Sequence, residues 1–335
     1  MSSVFARLRR TFAPLAAALF AAALLPAGGT AHAQGFPNKP VRIVVPFTTG
    51  GAADTLARLV GQRLSEMWGQ QVIVENRGGA GGTIGMDAAL KMPADGYTFV
   101  LISNSLAVSQ VLYPKLPYDL VKDFVPVNLV ASTPMVLAVH PKVPVNSFAE
   151  FTQYVKARPG KLSYGSCGVG TAPHLAMEMY KFQTQSFVVH IPYRGCSVAA
   201  TDAIGGQLDA ILATAPAVLP HARQGKLKML AVTNPARTPT APEVPTMGES
   251  GVPGTKGFAV DNWYGFMAAR GTPREAIDRL DADVRKVLAQ KDIADKLAAS
   301  GVDVMFGSAQ DLAKLIDSDM KQFGAVIKFA GIKPE

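Results

Sequence analysis

Hydroxyl-bearing residues and glycines gather in four short segments: Thr48-Thr49-Gly50-Gly51, Ser103-Asn104-Ser105, Ser166-Cys167-Gly168-Val169-Gly170-Thr171 and Tyr193-Arg194-Gly195-Cys196. Glycine lacks a Cβ, so at 50, 51, 165, 168, 170 and 195 the backbone could approach a ligand and present its N–H groups. Thr48, Ser166 and Thr171 would add hydroxyl donors. For any single segment the competing reading is a tight turn and nothing more. The coincidence of several such segments points to an anion site made from peptide N–H groups. His174 could face the ligand or support local packing, and Tyr193 could supply a hydroxyl or an aromatic wall. Asp54 and Asp202 fall near the starts of helical patterns, where each either complements the helix dipole or holds the neighbouring loop.

Other chemistry has less support. Ser166, His174 and Asp202 would form a serine-hydrolase set if their loops converged, but Tyr164 stands where Gly-x-Ser-x-Gly requires its first glycine. The glycine-rich run at 78–85 has Ile84 in place of the third glycine of a dinucleotide fingerprint, and no Walker-type lysine motif occurs, so no cofactor is expected. His140, His174, His190 and His221 are scattered along the chain and do not form a metal motif. Charged residues make up 17% of the chain with no Lys/Arg run, which is unlike a nucleic-acid-binding surface.

The four segments must be positioned by a scaffold, and the hydrophobic pattern supplies one. Strand-like runs at 41–45, 71–74 and 97–102 alternate with helical runs at 52–68 and 83–90, the pattern of parallel βαβ units. In the first helix Leu56, Val60, Leu64 and Met67 recur on one face. A second set starts with a strand at 135–139 and repeats strand, loop and helix through 162–164, 187–190, 210–213 and 228–232. Ser147 and Glu150 have capping-box spacing for the helix that follows the first of these strands. Five prolines between 234 and 257 mark an extended connector. A strand at 263–268 and helices at 274–290, 293–300 and 309–329 then need a sheet to cover. The expected architecture is therefore α/β, with two lobes built on open sheets. The first lobe is discontinuous, formed by 34–133 and 257–335; the second is 134–256. Two crossing strands, near 131–134 and 256–258, would act as a hinge. In open α/β sheets ligands sit beyond the carboxyl ends of the strands, where all four segments fall.

Residues 1–33 read as a cleaved export signal. Arg7, Arg9 and Arg10 precede an apolar run at 13–25, and Ala31-His32-Ala33 is a small-x-small cleavage site. Arg9-Arg10-Thr11-Phe12 partly matches a twin-arginine signal and leaves the export route open. Removing three arginines and no acid lowers the net charge from +8 to +5. Roughly 300 residues then remain, enough for two cores. Cys167 and Cys196 would lie on neighbouring loops in an oxidising compartment, where they are expected to form a disulfide beside the cleft.

Several stretches carry a family resemblance. Phe36-Pro37-Asn38-Lys39-Pro40-Val41-Arg42-Ile43-Val44-Val45-Pro46-Phe47, followed by Gly50-Gly51, Asp54 and Ala57-Arg58, resembles the start of the Bug-type periplasmic receptors of tripartite tricarboxylate transporters. Val74-Glu75-Asn76-Arg77-Gly78-Gly79-Ala80-Gly81-Gly82-Thr83-Ile84-Gly85, Asp95-Gly96-Tyr97-Thr98, Pro192-Tyr193-Arg194-Gly195, Trp263-Tyr264-Gly265 and Gly271-Thr272-Pro273 match as well. The resemblance spans the chain beyond the signal. It implies a type II periplasmic-binding-protein fold, a small carboxylate ligand, a two-component membrane permease as partner, and a monomeric receptor in the periplasm. It also implies that Gly168, Val169, Gly170 and Thr171 hold one ligand carboxylate, while the turn at Thr48–Gly51 approaches partly through water. Thr49 stands where the family usually has proline, and Cys167 and Cys196 are not typical of its loops.

Overall fold

A computed structural model describes residues 35–333, so the export signal expected at 1–33 lies outside the described residues. Residues 35–38 belong to a short N-terminal unit and hold no regular secondary structure. The account below concerns the unit that starts at Lys39.

The described part of this unit opens with strand β1 (Val41–Val45), helix α1 (Ala52–Trp68), strand β2 (Val72–Asn76), a short 3-10 turn (Ala80–Gly82), helix α2 (Thr83–Leu90), strand β3 (Thr98–Ser103) and helix α3 (Asn104–Leu112). All four β-branched residues in β1 are fully buried, as expected of a strand covered on both faces. Strands β4 (Phe124–Thr133) and β5 (Met135–Val139) follow, separated only by Pro134. Next come α4 (Phe148–Lys156), β6 (Ser163–Ser166), α5 (Ala172–Thr184), β7 (Val189–Pro192), α6 (Cys196–Ile204), β8 (Ala210–Thr214), α7 (Ala215–Arg223) and β9 (Lys228–Val232). A connector without helix leads to β10 (Asn262–Ala269), α8 (Arg274–Leu288), α9 (Lys291–Ala299), β11 (Asp303–Gly307) and α10 (Ala309–Ala330).

These strands form two sheets, ordered β11-β4-β10-β3-β1-β2 and β7-β6-β8-β5-β9. Both are mixed. Strand β1 pairs in parallel with β2 and β3, but the returning β10 runs antiparallel to β3 and β4, and β11 antiparallel to β4. In the second sheet β6 is parallel to β7 and β8, whereas β5 is antiparallel to β8 and β9. Alternate residues of β5 and β8 feed opposite faces: Val136, Ala138, Ile211 and Ala213 enter one core, while Met135, Leu137, Val139 and Leu212 enter another.

Pro134 marks the first passage between the sheets. Thr133 pairs with Asn262 in the first sheet and Met135 with Thr214 in the second. Proline has no N–H to give either ladder, so the pairing stops there. The return passage lies alongside it: Val260 N–H donates to the Thr233 carbonyl at 2.9 Å, and Thr233 N–H to Met135 at 3.0 Å.

Strands β4 and β11 and helix α3 are absent from the sequence-based expectation. In β4, Pro126 and Asn128 break the β-rich appearance. The structure accommodates the proline where the register against β10 shifts, at a bulge in which a missing N–H costs little.

Candidate functional site

The carboxyl ends of β1, β2, β3, β6, β7 and β8, together with the start of β10, surround a cavity of about 620 Å³. That is the size of a small-molecule site. Pro46, Phe47, Thr48 and Gly51 to Ala53 contribute from the first sheet, as do 78–82, Ser103 and Ser105. Cys167 to Val169, Thr171, Pro173, 192–196 and Thr214 contribute from the second, with Asn262 and Tyr264 at the passage between them. Among the described lining residues Arg194 alone carries a formal charge; no Asp or Glu is present.

Of the residues singled out from sequence, Thr48, Gly51, Ser103, Gly168, Val169, Thr171, Tyr193 and Gly195 line this cavity, whereas Thr49, Gly50, Asn104, Ser166, Gly170, His174 and Asp202 do not. Each of the latter except solvent-exposed Thr49 has a visible structural task. Gly50 N–H donates to Asp54 Oδ2 at 2.9 Å, fixing the turn before α1. Burial alone would push the Asp54 carboxyl up, but this bond and Arg58 outweigh it and hold the group below the usual carboxylate range. Asn104 is fully buried and donates through Nδ2 to the Asp261 carbonyl at 2.7 Å. Asp202 accepts from the Tyr193 hydroxyl at 2.7 Å, so it orients a cavity wall from behind.

Ser166, Gly170 and His174 form the support beneath the loop at 166–171. Gly170 N–H donates to His174 Nδ1 at 3.1 Å, which makes that nitrogen the unprotonated one. The His174 ring stacks on His190 with centroids 4.0 Å apart, and His190 stacks in turn on Tyr164 at 4.8 Å. These two histidines, scattered in sequence, are thus in contact. Burial, reinforced by Lys181, pushes the His174 pKa down to about 4; burial and the neighbouring His174 push His190 down to about 3. Both rings are neutral at pH 7. Ser166 Oγ lies 2.7 Å from His190 Nε2, accepts from Gly168 N–H at 3.2 Å, and is fully buried. The hydrolase set of Ser166, His174 and Asp202 is therefore not assembled, because Ser166 meets a different histidine and Asp202 is bonded to Tyr193.

Thr171 caps the start of α5 and donates through Oγ1 to Gly168 O at 2.7 Å. Ala172 N–H is taken by Ser105 Oγ of α3 at 3.2 Å, a bond that joins the two sheets' helices across the cavity. Cys167 and Cys196 form a disulfide with Cα atoms 4.3 Å apart, tying the loop after β6 to the loop after β7. Gly195 meets Thr48 closely enough that any Cβ at 195 would collide with the Thr48 hydroxyl. Its φ of 166° is ordinary extended backbone, so the reason for glycine here is space.

Sequence reasoning missed the loop at 78–82, Pro173, Pro192, Thr214, Asn262 and Tyr264. The rule that ligands gather beyond the carboxyl ends of strands would have reached Thr214 had its strand been drawn one residue longer, whereas Asn262 begins an antiparallel strand and carries no such signal.

The model of the tripartite tricarboxylate transporter family receptor matches residues 56–332, most of the chain. The chain belongs to that family. This tripartite tricarboxylate transporter receptor is 36% identical over 303 residues to Protein BugT of Bordetella pertussis, covering 90% of this chain and 92% of that one. Among solved structures it resembles R. palustris Rpa4515 with adipate, with a TM-score of 0.85, 35% identity and coverage of 90% and 100%. It also resembles MatC (Rpa3494) from Rhodopseudomonas palustris with bound malate, with a TM-score of 0.80, 30% identity and coverage of 87% and 100%. The receptor shares with these proteins an α/β fold of two open mixed sheets, the type II periplasmic-binding-protein fold. Among the described residues no helix is long and apolar enough to cross a membrane.

Proposed function

We propose that the protein is a periplasmic receptor that closes around a small carboxylate and delivers it, as a single chain, to a two-component membrane permease of the tripartite tricarboxylate type. The observation that carries this reading is the composition of the cavity wall: helix starts from both sheets, hydroxyls, one arginine and no acid. The first turn of α1 at Ala52 and Ala53 offers N–H groups that the helix itself does not use. In the loop at 168–172, most N–H groups are bonded to Ser166, His174, Gly168 and Ser105; Val169 N–H has no partner among the described residues. A carboxylate held there would use Val169 N–H, with Thr171 holding the loop in shape through its bond to Gly168 O, and Arg194 at the rim would add long-range attraction. The adipate and malate named with the two R. palustris structures support the ligand class. In this reading 34–133 with 257–335 and 134–256 are the two lobes, and the passages at Pro134 and before Asn262 form the hinge.

A thermal-shift panel of mono-, di- and tricarboxylates, followed by calorimetry, tests it. A ligand at 100 times its Kd stabilises the folded chain by about 2.7 kcal/mol, which raises the melting temperature by several degrees. Thr171→Ala should weaken that binding and leave the melting temperature of the unliganded protein nearly unchanged. A full panel with neither a shift nor measurable heat would end the proposal.

A further inference from the structure

Two side chains on the cavity wall are buried yet unsatisfied. Thr214 and Asn262 are 5% and 3% exposed, and neither Thr214 Oγ1 nor Asn262 Oδ1 has a hydrogen-bond partner among the described residues. Buried polar atoms are paired in the great majority of cases, so two orphans lining one cavity point to a group that arrives from outside. Their placement is shared. Asn262 pairs with Thr133 and Thr214 with Met135, on either side of Pro134, so both stand at the passage between the sheets.

The chemistry of this corner is neutral. Thr214 caps α7, but that helix start has lost donors: Ala215 N–H is bonded to the Pro134 carbonyl at 2.9 Å and Pro216 has none. It is not a cradle for a carboxylate. Asn262 Nδ2 donates to the Tyr264 hydroxyl at 2.6 Å, which leaves Asn262 Oδ1 as an acceptor and the Tyr264 O–H as a donor. Turning the amide over exchanges the roles and again leaves one donor and one acceptor. Burial pushes the Tyr264 phenol well above its ordinary pKa, so it keeps its proton. An ammonium group would only donate, and no acid lines the cavity to balance its charge. A hydroxyl both donates and accepts.

Building on the proposed carboxylate receptor, we propose that Thr214, Asn262 and Tyr264 form a hydroxyl subsite, so that the ligand is a hydroxycarboxylate. Its acid group sits against the starts of α1 and α5, and its hydroxyl at the passage between the sheets.

Calorimetry on matched pairs tests this: malate and succinate, citrate and tricarballylate, lactate and propionate, 6-hydroxyhexanoate and hexanoate. In at least one pair the hydroxy acid should bind tenfold or more tightly than its deoxy partner. That ratio should fall toward one in Thr214→Val and in Tyr264→Phe, with the fold of each unliganded variant checked by circular dichroism. Deoxy acids that bind as tightly as their hydroxy partners in every pair would overturn the subsite and leave the carboxylate receptor standing. So would a ratio that survives both variants, or a preference for serine and aspartate over the hydroxy acids. Failure of all eight acids together with the wider carboxylate panel would instead remove the receptor reading, and the subsite with it.

Discussion

Replacing Gly195 by alanine should weaken ligand binding without unfolding the protein. The extended backbone at 195 accepts an L side chain, so no conformational penalty arises within the loop. The added methyl would instead press on Thr48, whose Cβ and Cγ2 lie 3.2 and 3.3 Å from its position and whose hydroxyl lies closer still. Overpacking of this kind costs about 1–3 kcal/mol. Thr48 follows β1 of one sheet and Gly195 follows β7 of the other, so the cost falls on the closed arrangement and not on either half alone. Converted at tenfold per 1.4 kcal/mol, the apparent affinity should drop about 5- to 140-fold. Calorimetry with the tightest carboxylate from the panel measures this, and a melting curve of the unliganded variant should stay within about 1 °C of wild type. Thr48→Ala removes the colliding atoms, so in the double variant the penalty of Gly195→Ala should largely vanish; the double-mutant cycle separates this from any direct loss of a Thr48–ligand contact. Unchanged affinity in Gly195→Ala would refute the reasoning, as would an unliganded melting temperature that falls in step with the affinity.

Two further outcomes follow from the support beneath the loop. Replacing both Cys167 and Cys196 by serine opens a closure of 29 residues, which on chain-entropy grounds costs about 3.6 kcal/mol. A drop in melting temperature of about 6 °C is expected, together with weaker ligand binding; a variant as stable as wild type would show that the bridge contributes no net stability. The second outcome concerns pH. Because His174 and His190 have folded pKa values lowered to about 4 and 3, the unfolded chain binds more protons than the folded one below about pH 6.5. Stability is therefore lost on acidification from about 6.5 toward 4, by up to about 1.4 kcal/mol per pH unit for each histidine. Burial pushes Asp319 up to about 6 and gives the opposite slope, so the comparison must be made against His174→Gln. Denaturant unfolding from pH 7.5 to 4.5 should show a shallower acid loss in that variant; identical slopes would mean that His174 is not held neutral by the fold.

The parts of the fold that were legible in sequence are those whose pattern is local. Strand β1 with its buried valines, helix α1 and the capped helix α4 announce themselves through periodicity and capping residues. Strand β4 does not, because Pro126 is tolerated only by a bulge that depends on β10, 140 residues away in sequence. The site divides in the same way. The loops at 48–51, 166–171 and 193–196 carry a local glycine and hydroxyl signature. Whether a residue lines the cavity or props its wall is decided by long-range partners, such as Asp261 for Asn104 and Tyr193 for Asp202. No local pattern could have put Thr214 and Asn262 on one wall, since their proximity comes from two strands pairing on either side of Pro134.

The break at that proline also makes the molecule divisible. A ladder of backbone hydrogen bonds normally welds neighbouring strands, and exchanging a segment across it means re-matching every rung. At Pro134, and again just ahead of Asn262, the chain can be cut and rejoined with both sheets left whole. Segments running from β5 to β9 should therefore be transplantable between related receptors, carrying half of the recognition wall with them and leaving the other half in place.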